Sequence, residues 1–595
     1  MTKAIPLAIA ALLASAASPV SAQGAPPPVA APAAPSPDAM TNLIRLLVAQ
    51  GTITRENGEQ LLRQAQAQAQ AGQARSASGE LSAPAAGAVR VTYVPETVRN
   101  QIRDEVKGEI MKQAQTEGWA SPGGAAPEWT RRIKLNADIR FRGEQDRFAK
   151  DNANDIVDFG AINTTPGGFD FFRNFNNTPI LNTRVDRNRL RLRARIGAEF
   201  DISPQAMVAV KLATGDDNSP ISTNQVLGGG FAKRNIWLDQ AYLRLTPGHK
   251  VSAMLGRFPN PFLSTDLLFD RDLNFDGALV AVKPFGNEER SLTVRGGAFP
   301  LDFGSDNYPS TNSSKQKNRT RWMLGGQVEA NATVSGAKVS AGAALYHFTN
   351  IQGQLSAPCT FNGTTVGIGA NDPTECSSDA TRALFPRKGN TLFFIRNIVV
   401  PAPDTQPLSN RQYVGLVYKF SLLDLNASVA VPIAGTEAVL SGNYVRNLAF
   451  KKSDQCRYGT SQNGVPITNV TGTPIPGTTP QQVNFNPCST ANAATVDSGN
   501  QGFLVRLMVG KAKPRQWGEW NFTGDYRYLE SDAVLDSFTD SDFHLGGTNT
   551  KGYSIGGTLG LFNGTSIGAR WMSASEISGR PLGIDVFQVD LIGEF

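Results

Sequence analysis

From Arg132 to the C-terminus the apolar residues of this chain recur at every second position. In Ile133-Lys134-Leu135-Asn136-Ala137-Asp138-Ile139-Arg140-Phe141-Arg142 the odd positions are apolar and the even ones polar or charged. Leu190, Leu192, Ala194, Ile196, Ala198 and Phe200 repeat the pattern against Arg189, Arg191, Arg193, Arg195 and Glu199. A strand turns successive side chains to opposite faces, so each such stretch has one face suited to hydrocarbon and one suited to water.

About sixteen stretches carry this alternation, each near the ten residues that a tilted strand needs to cross a bilayer. They span 133–142, 188–200, 206–213, 236–246, 251–258, 277–284, 290–299 and 321–333, then 338–348, 412–431, 437–449, 501–511, 519–530, 551–562, 565–576 and 584–595. The segments 143–187, 214–235, 259–275, 300–320, 349–411, 450–500 and 531–550 between them are long and polar. The links 201–205, 247–250, 285–289, 334–337 and 563–564 are tight, the last being Asn563-Gly564, a strong hairpin signal. A sandwich has no reason to sort its connections by length, whereas a membrane barrel does. The pattern predicts an all-β transmembrane barrel of about sixteen antiparallel strands over 132–595, with 14–18 compatible. Trp237, Phe285, Trp517, Trp520 and Trp571 fall near predicted strand ends, where a membrane interface favours aromatics.

The first 131 residues read differently. Lys3, the apolar run Ala4 to Ala17 and the small-residue site Val20-Ser21-Ala22 make residues 1–22 a secretory signal peptide. An Ala/Pro-rich linker follows over 23–39. Residues 40–118 have a helical period, with Val98, Ile102, Val106 and Ile110 forming a stripe narrow enough for a short coiled coil, and 119–131 is a second linker. This helical region is expected in the periplasm, paired with another helix.

Composition narrows the class. The net charge of +6 is too weak and too dispersed for nucleic acid. Mean hydropathy is −0.24, and no run of about 18 apolar residues follows the N-terminus, so helical membrane spans are excluded. Cys359 and Cys376 share one polar segment and Cys456 and Cys488 another, without histidines at metal-ligand spacing. Two loop-internal disulfides in an oxidising compartment are expected, and no metal. The histidines, His249, His347 and His544, show no Ser or Asp constellation, so the chain is expected not to be an enzyme and to need no cofactor.

The alternation itself selects candidate chemistry. An arginine on the lipid face costs about 2–4 kcal/mol at mid-bilayer, so Arg189, Arg191, Arg193 and Arg195 must point inward. Arg140, Arg142, Lys211, Arg244, Lys134 and Arg295 share the inward parity. A column of guanidinium groups either sets selectivity for anions or solvates the lumen while pairing with inward acids such as Asp138 and Glu199.

Several motifs resemble the putative porin family of Gram-negative outer-membrane barrels, and the likeness covers most of the chain. They are Tyr93-Val94-Pro95-Glu96, Glu117-Gly118-Trp119, Leu238-Asp239-Gln240-Ala241-Tyr242 and Asp272-Leu273-Asn274-Phe275-Asp276-Gly277. Tyr526-Arg527-Tyr528-Leu529 and Phe538-Thr539-Asp540-Ser541-Asp542-Phe543 complete the set. The resemblance implies an outer-membrane porin for passive diffusion of small hydrophilic solutes, in contact with outer-membrane lipid, with a homotrimer as the favoured assembly. The last strand is similar to the ends that such barrels present to their assembly machinery, with Phe587, Val589, Leu591 and Phe595 on one face. In trimeric general porins the third loop folds inward and its acids face arginines; by that resemblance Asp266, Asp270 and Asp272, with Asp276 just beyond, would constrict the pore. The run 270–277 looks like a calcium loop but has Phe275 where that loop requires glycine. Competing readings are an envelope anchor with a poorly conducting barrel and, from another class, an outer-membrane hydrolase.

Overall fold

The computed structural model describes residues 128–595 apart from 171–176, 217–218, 288, 305–318, 361–375, 400–410, 459–465, 468–487 and 489–497. The signal, linker and coiled-coil expectations for 1–127 lie outside the described residues.

Sixteen antiparallel strands close into one barrel. They are β1 Ile133–Phe148, β2 Arg187–Ser203, β3 Ala206–Thr214, β4 Ile236–Gly248, β5 Val251–Pro259, β6 Asn274–Gly286, β7 Arg290–Asp302 and β8 Arg321–Val334. The second half is β9 Ala337–Thr349, β10 Ser421–Ile433, β11 Thr436–Asn447, β12 Gln501–Gly510, β13 Trp520–Leu529, β14 Thr550–Phe562, β15 Thr565–Glu576 and β16 Gly583–Glu594. Each pairs with its sequence neighbours, and β16 returns to β1 through the register Arg142↔Asp590. Closure removes the sheet edge, so the backbone groups of every strand are satisfied without water.

The long connections share one end: 149–186, 215–235, 260–273, 303–320, 350–420, 448–500 and 530–549, with the shorter 577–582. The other end carries 204–205, 249–250, 287–289, 335–336, 434–435, 511–519 and 563–564. Phe285, Trp520 and Phe562 stand exposed beside these turns, as interfacial aromatics should.

One predicted strand is corrected. The span 412–431 does not run continuously; the wall strand begins at Ser421. Upstream, Val414–Leu416 pairs with Leu392–Phe394 and Arg411–Gln412 with Phe169–Asp170, both within the loop layer. Val414, Leu416, Val417 and Tyr418 are all buried, so this stretch lacks the one-sided exposure of a wall strand. Both cysteine pairs form disulfides inside single connections, Cys359–Cys376 within 350–420 and Cys456–Cys488 within 448–500.

The two faces of the wall divide as the alternation requires. Leu135, Ile139, Leu190, Ile196, Leu440, Val505 and Leu591 point outward and stay exposed. Phe587, Leu591 and Phe595 are exposed on this outer face as well, with Val589 partly so. The inner face is not uniformly polar, which departs from the expectation of a water-filled interior. On β5–β9 it carries Phe258, Phe275, Leu279, Phe299, Met323, Ala344, Tyr346 and Phe348, all buried. Their cover comes from the loops: Phe262, Leu267, Leu268 and Phe269 of 260–273 join one core with Phe159, Ile162, Ile221, Leu392, Phe393, Ile395, Val534 and Leu535. Each such side chain contributes about 1.5–3 kcal/mol on burial, so the loops fold as a packed layer and not as loose tethers.

The outer face gives a direct test. Ile196→Arg, in the middle of β2, should lower folding stability in bilayers by about 2–4 kcal/mol in a denaturant titration.

Candidate functional site: the lumen

The connection 260–273 after β5 does not leave the barrel; it turns into the lumen and crosses it. The Leu263 N–H donates to Gln327 Oε1 of β8 at 2.8 Å, and Gln327 Nε2 donates back to the Leu263 carbonyl at 2.8 Å. Asn426 of β10 also donates to that carbonyl, and Thr265 Oγ1 donates to Asn443 of β11 at 2.7 Å. Edge-on ring contacts of Phe262 and Phe269 with Tyr346, at 5.1 and 5.2 Å, fix the apolar side of the loop to the wall.

Charge fixes the other side at two places. Asp266 meets Arg506 of β12 at 2.9 Å and Arg527 of β13 at 3.6 Å, with Arg271 at 3.5 Å. Asp272 meets Arg195 at 3.4 Å and Arg193 at 3.6 Å on β2, and accepts from Thr223 Oγ1 at 2.8 Å. The loop therefore reaches from β5 past β8–β11 to β12–β13 and returns to β2. Burial alone would raise the Asp266 carboxyl, yet Arg527 and Arg506 hold it well below the usual carboxylate range. Asp270 goes the other way: burial and the nearby Asp540 and Asp272 push it well up, despite hydrogen bonds from the Asp272 and Ser541 amides.

Asp276 is a correction. It lies in β6, opposite Arg257 of β5, and the two form an ion pair at 3.1 Å away from the lumen. Alternation explains it: Phe275 and Gly277 take the inward positions, so Asp276 must face out.

The connection 530–549 supplies a second inward element that the sequence reading did not single out. Asp540 meets Arg527 at 2.9 Å. Asp542 meets Arg142 at 2.6 Å and Arg570 of β15 at 2.9 Å, with Arg191 at 3.9 Å. The two inward loops touch, since the Asp540 amide donates to the Asp266 carbonyl at 3.1 Å and the Ser541 amide to Asp270 at 2.8 Å. Burial would raise Asp542, but Arg142 and Arg570 hold its carboxyl well below its ordinary value.

The arginines predicted to face inward do so, and the ladder on β2 is paired throughout. Arg189 meets Glu144 at 2.7 Å and also Asp146; Arg191 meets Glu144 at 2.9 Å. Arg193 and Arg195 share Asp138, at 3.0 and 2.6 Å. Arg142 adds Asp590 of β16 at 2.6 Å. Glu199, offered as a second inward partner, takes part in no ion pair among the described residues. Arg140 donates to Asn224 at 2.6 Å and has no carboxylate at ion-pair distance among the described residues. Lys211, opposite Gly197 and Gln240, likewise has none. Arg244 stands exposed opposite Met207 and Met254, away from the cluster. Arg506, Arg527 and Arg570 were missed, although Leu504-Val505-Arg506-Leu507 and Tyr526-Arg527-Tyr528 carry the same alternation signal as the β2 ladder.

The lumen is thus divided. Its β5–β9 side is filled by aromatic packing, and its β12–β16, β1 and β2 side is lined by paired charges with both inward loops bonded to them. Asp266→Ala would leave Arg506 and Arg527 short of a buried partner; it should cost about 3 kcal/mol of stability and raise single-channel conductance as 260–273 loosens.

Solved structures similar to the chain include OprB of Pseudomonas putida at high pH, with 10% identity, a TM-score of 0.39 and coverage of 78% of this chain and 95% of that one. Another is OmpF of Salmonella typhi in complex with daunomycin, at 8% identity, a TM-score of 0.35 and 78% and 97% coverage. The outer membrane channel DcaP of Acinetobacter baumannii gives 10%, 0.33, and 80% and 99%. No curated protein matches the sequence. A family model described as putative porin matches residues 37–595, and the chain belongs to that family of outer-membrane channels.

Proposed function

We propose that this porin is a passive pore for small hydrophilic solutes with a preference for anions. The observation that carries the reading is the charge along the polar side of the lumen. Arg140, Arg142, Arg189, Arg191, Arg193, Arg195, Lys211 and Arg570 face Asp138, Glu144, Asp146, Asp239, Asp272, Asp542 and Asp590. Cations exceed carboxylates there, and among the described residues Arg140 and Lys211 have no carboxylate at ion-pair distance. The neighbouring cluster on β12 and β13 is balanced, with Arg271, Arg506 and Arg527 against Asp266, Asp525 and Asp540. The excess sits where low-dielectric walls focus the field, so a mobile anion gains more from it than it would from the same charge in open water.

Pairing moderates the effect without abolishing it. From Arg189 to Arg195 the ladder covers about 20 Å of wall at about 3.3 Å per residue, so an anion passing along it exchanges one guanidinium for the next. Measurable conductance in planar bilayers separates this reading from an envelope anchor. Selectivity tests the charge argument: replacing Arg191 and Arg193 by serine should move the reversal potential in a salt gradient toward cations. An unchanged reversal potential in the folded double variant would make those arginines purely structural.

A further inference from the structure

Three guanidinium groups converge on the carboxylate of Asp542, and that carboxylate comes from a loop, not from the wall. Its Oδ2 accepts from Arg142 Nη1 at 2.6 Å and from Arg570 Nη2 at 2.9 Å. Its Oδ1 is buried with no hydrogen-bond partner among the described residues, while Arg191 Nη1 stands at 3.9 Å. Arg191 Nε is likewise buried without a partner among the described residues. A carboxylate free to choose its orientation would use both oxygens on such a fork, so Asp542 fills the site incompletely. We propose that Arg142, Arg191 and Arg570 form a binding site for the oxyanion group of permeating solutes, and that Asp542 occupies it in the resting channel as a built-in competitor. This rests on the anion-preferring reading above.

The surroundings suit exchange. When Asp542 leaves, Arg142 keeps both contacts to Asp590, at 2.6 and 2.9 Å, and Arg191 keeps Glu144 at 2.9 Å. The cationic site therefore stays assembled and gains room for an incoming anion. Asp542 is also presented by a tightly specified segment. Asp540 is held on Arg527, whose guanidinium lies 4.2 Å from the Phe543 ring, and His544 Nδ1 meets buried Lys388 Nζ at 2.6 Å. His544 and Leu545 then take φ of 53° and 63°, followed by Gly546 and Gly547 at 78° and 90°. Non-glycine residues in the left-handed region are strained and persist where surrounding contacts impose them, which is the case for this turn. Displacement is thereby confined to Ser541 and Asp542, because Phe543 is itself buried against Met572, Ala574, Ile584 and Val586.

The experiment is block of single-channel current through the full-length protein, with succinate and inorganic phosphate as probes and glucose as the neutral control. Asp542→Asn removes the competing charge and should lower the half-blocking succinate or phosphate concentration about tenfold. Glu329→Gln removes the same charge from β8, where Glu329 pairs with Arg295 away from this site, and should leave it unchanged. The oxyanion with the lower half-blocking concentration identifies the solute class. As a second readout, Ser541→Cys provides a single free thiol, because the four natural cysteines are in disulfides. Its labelling by a small thiol reagent should accelerate several-fold in succinate or phosphate but not in glucose, and this decides the matter if Asp542→Asn does not assemble. An unchanged or raised half-blocking concentration in folded Asp542→Asn, or labelling indifferent to the probes, overturns the proposal. If the wild-type channel is anion-selective and only these results fail, the competitor is wrong and the pore reading stands; a cation-selective wild type removes both.

Discussion

A guanidinium group inside a protein needs charged or polar acceptors around it, and this requirement organises the interior of the barrel. Alternation forces the arginines of β2 off the lipid face, and once inside a confined lumen they require carboxylates. Part of the answer is local, because the β1–β2 register sets Glu144 opposite Arg189 and Asp138 opposite Arg195. In between, Arg142 faces Arg191 and Arg140 faces Arg193, like charges directly across the ladder. The acids that resolve this conflict come from elsewhere: Asp590 from β16, Asp272 from 260–273 and Asp542 from 530–549. Two connections fold inward and bond to charges that the wall alone leaves uncompensated.

Hydrophobic burial acts from the other side. The inner face of β5–β9 is too apolar to face water, and Phe262, Leu267, Leu268 and Phe269 cover it. The loop 260–273 is consequently amphipathic across its width, with aromatics toward one wall and Asp266 and Asp272 toward the other. On the proposed reading solutes pass along the charged side, where the side chains are held in place by mutual pairing.

Much of the wall was legible in the sequence because period-two alternation is imposed locally, residue by residue. The paired strands, the inward parity of Arg189 to Arg195 and the loop-internal cysteine pairs all follow from nearest-neighbour rules. Where the span 412–431 was misread, a continuous apolar run served the loop core, and alternation cannot distinguish wall from loop when both faces are buried. Asp276 was misplaced because it sits in sequence beside the loop acids, while one step along β6 turns it to the outside. The partnerships of Asp540, Asp542, Arg506, Arg527 and Arg570 depend on contacts between segments far apart in the chain, such as Asp266 with Arg506. No local pattern encodes them.

The central claim is that charge along one side of a divided lumen, set by the β1–β2 ladder and its loop acids, governs what passes. The reversal potential of the unmodified protein across a potassium chloride gradient measures this most directly. The account predicts that chloride is the more permeant ion, with the preference weakening at high salt as the ladder is screened. A channel more permeable to potassium at low salt would contradict it.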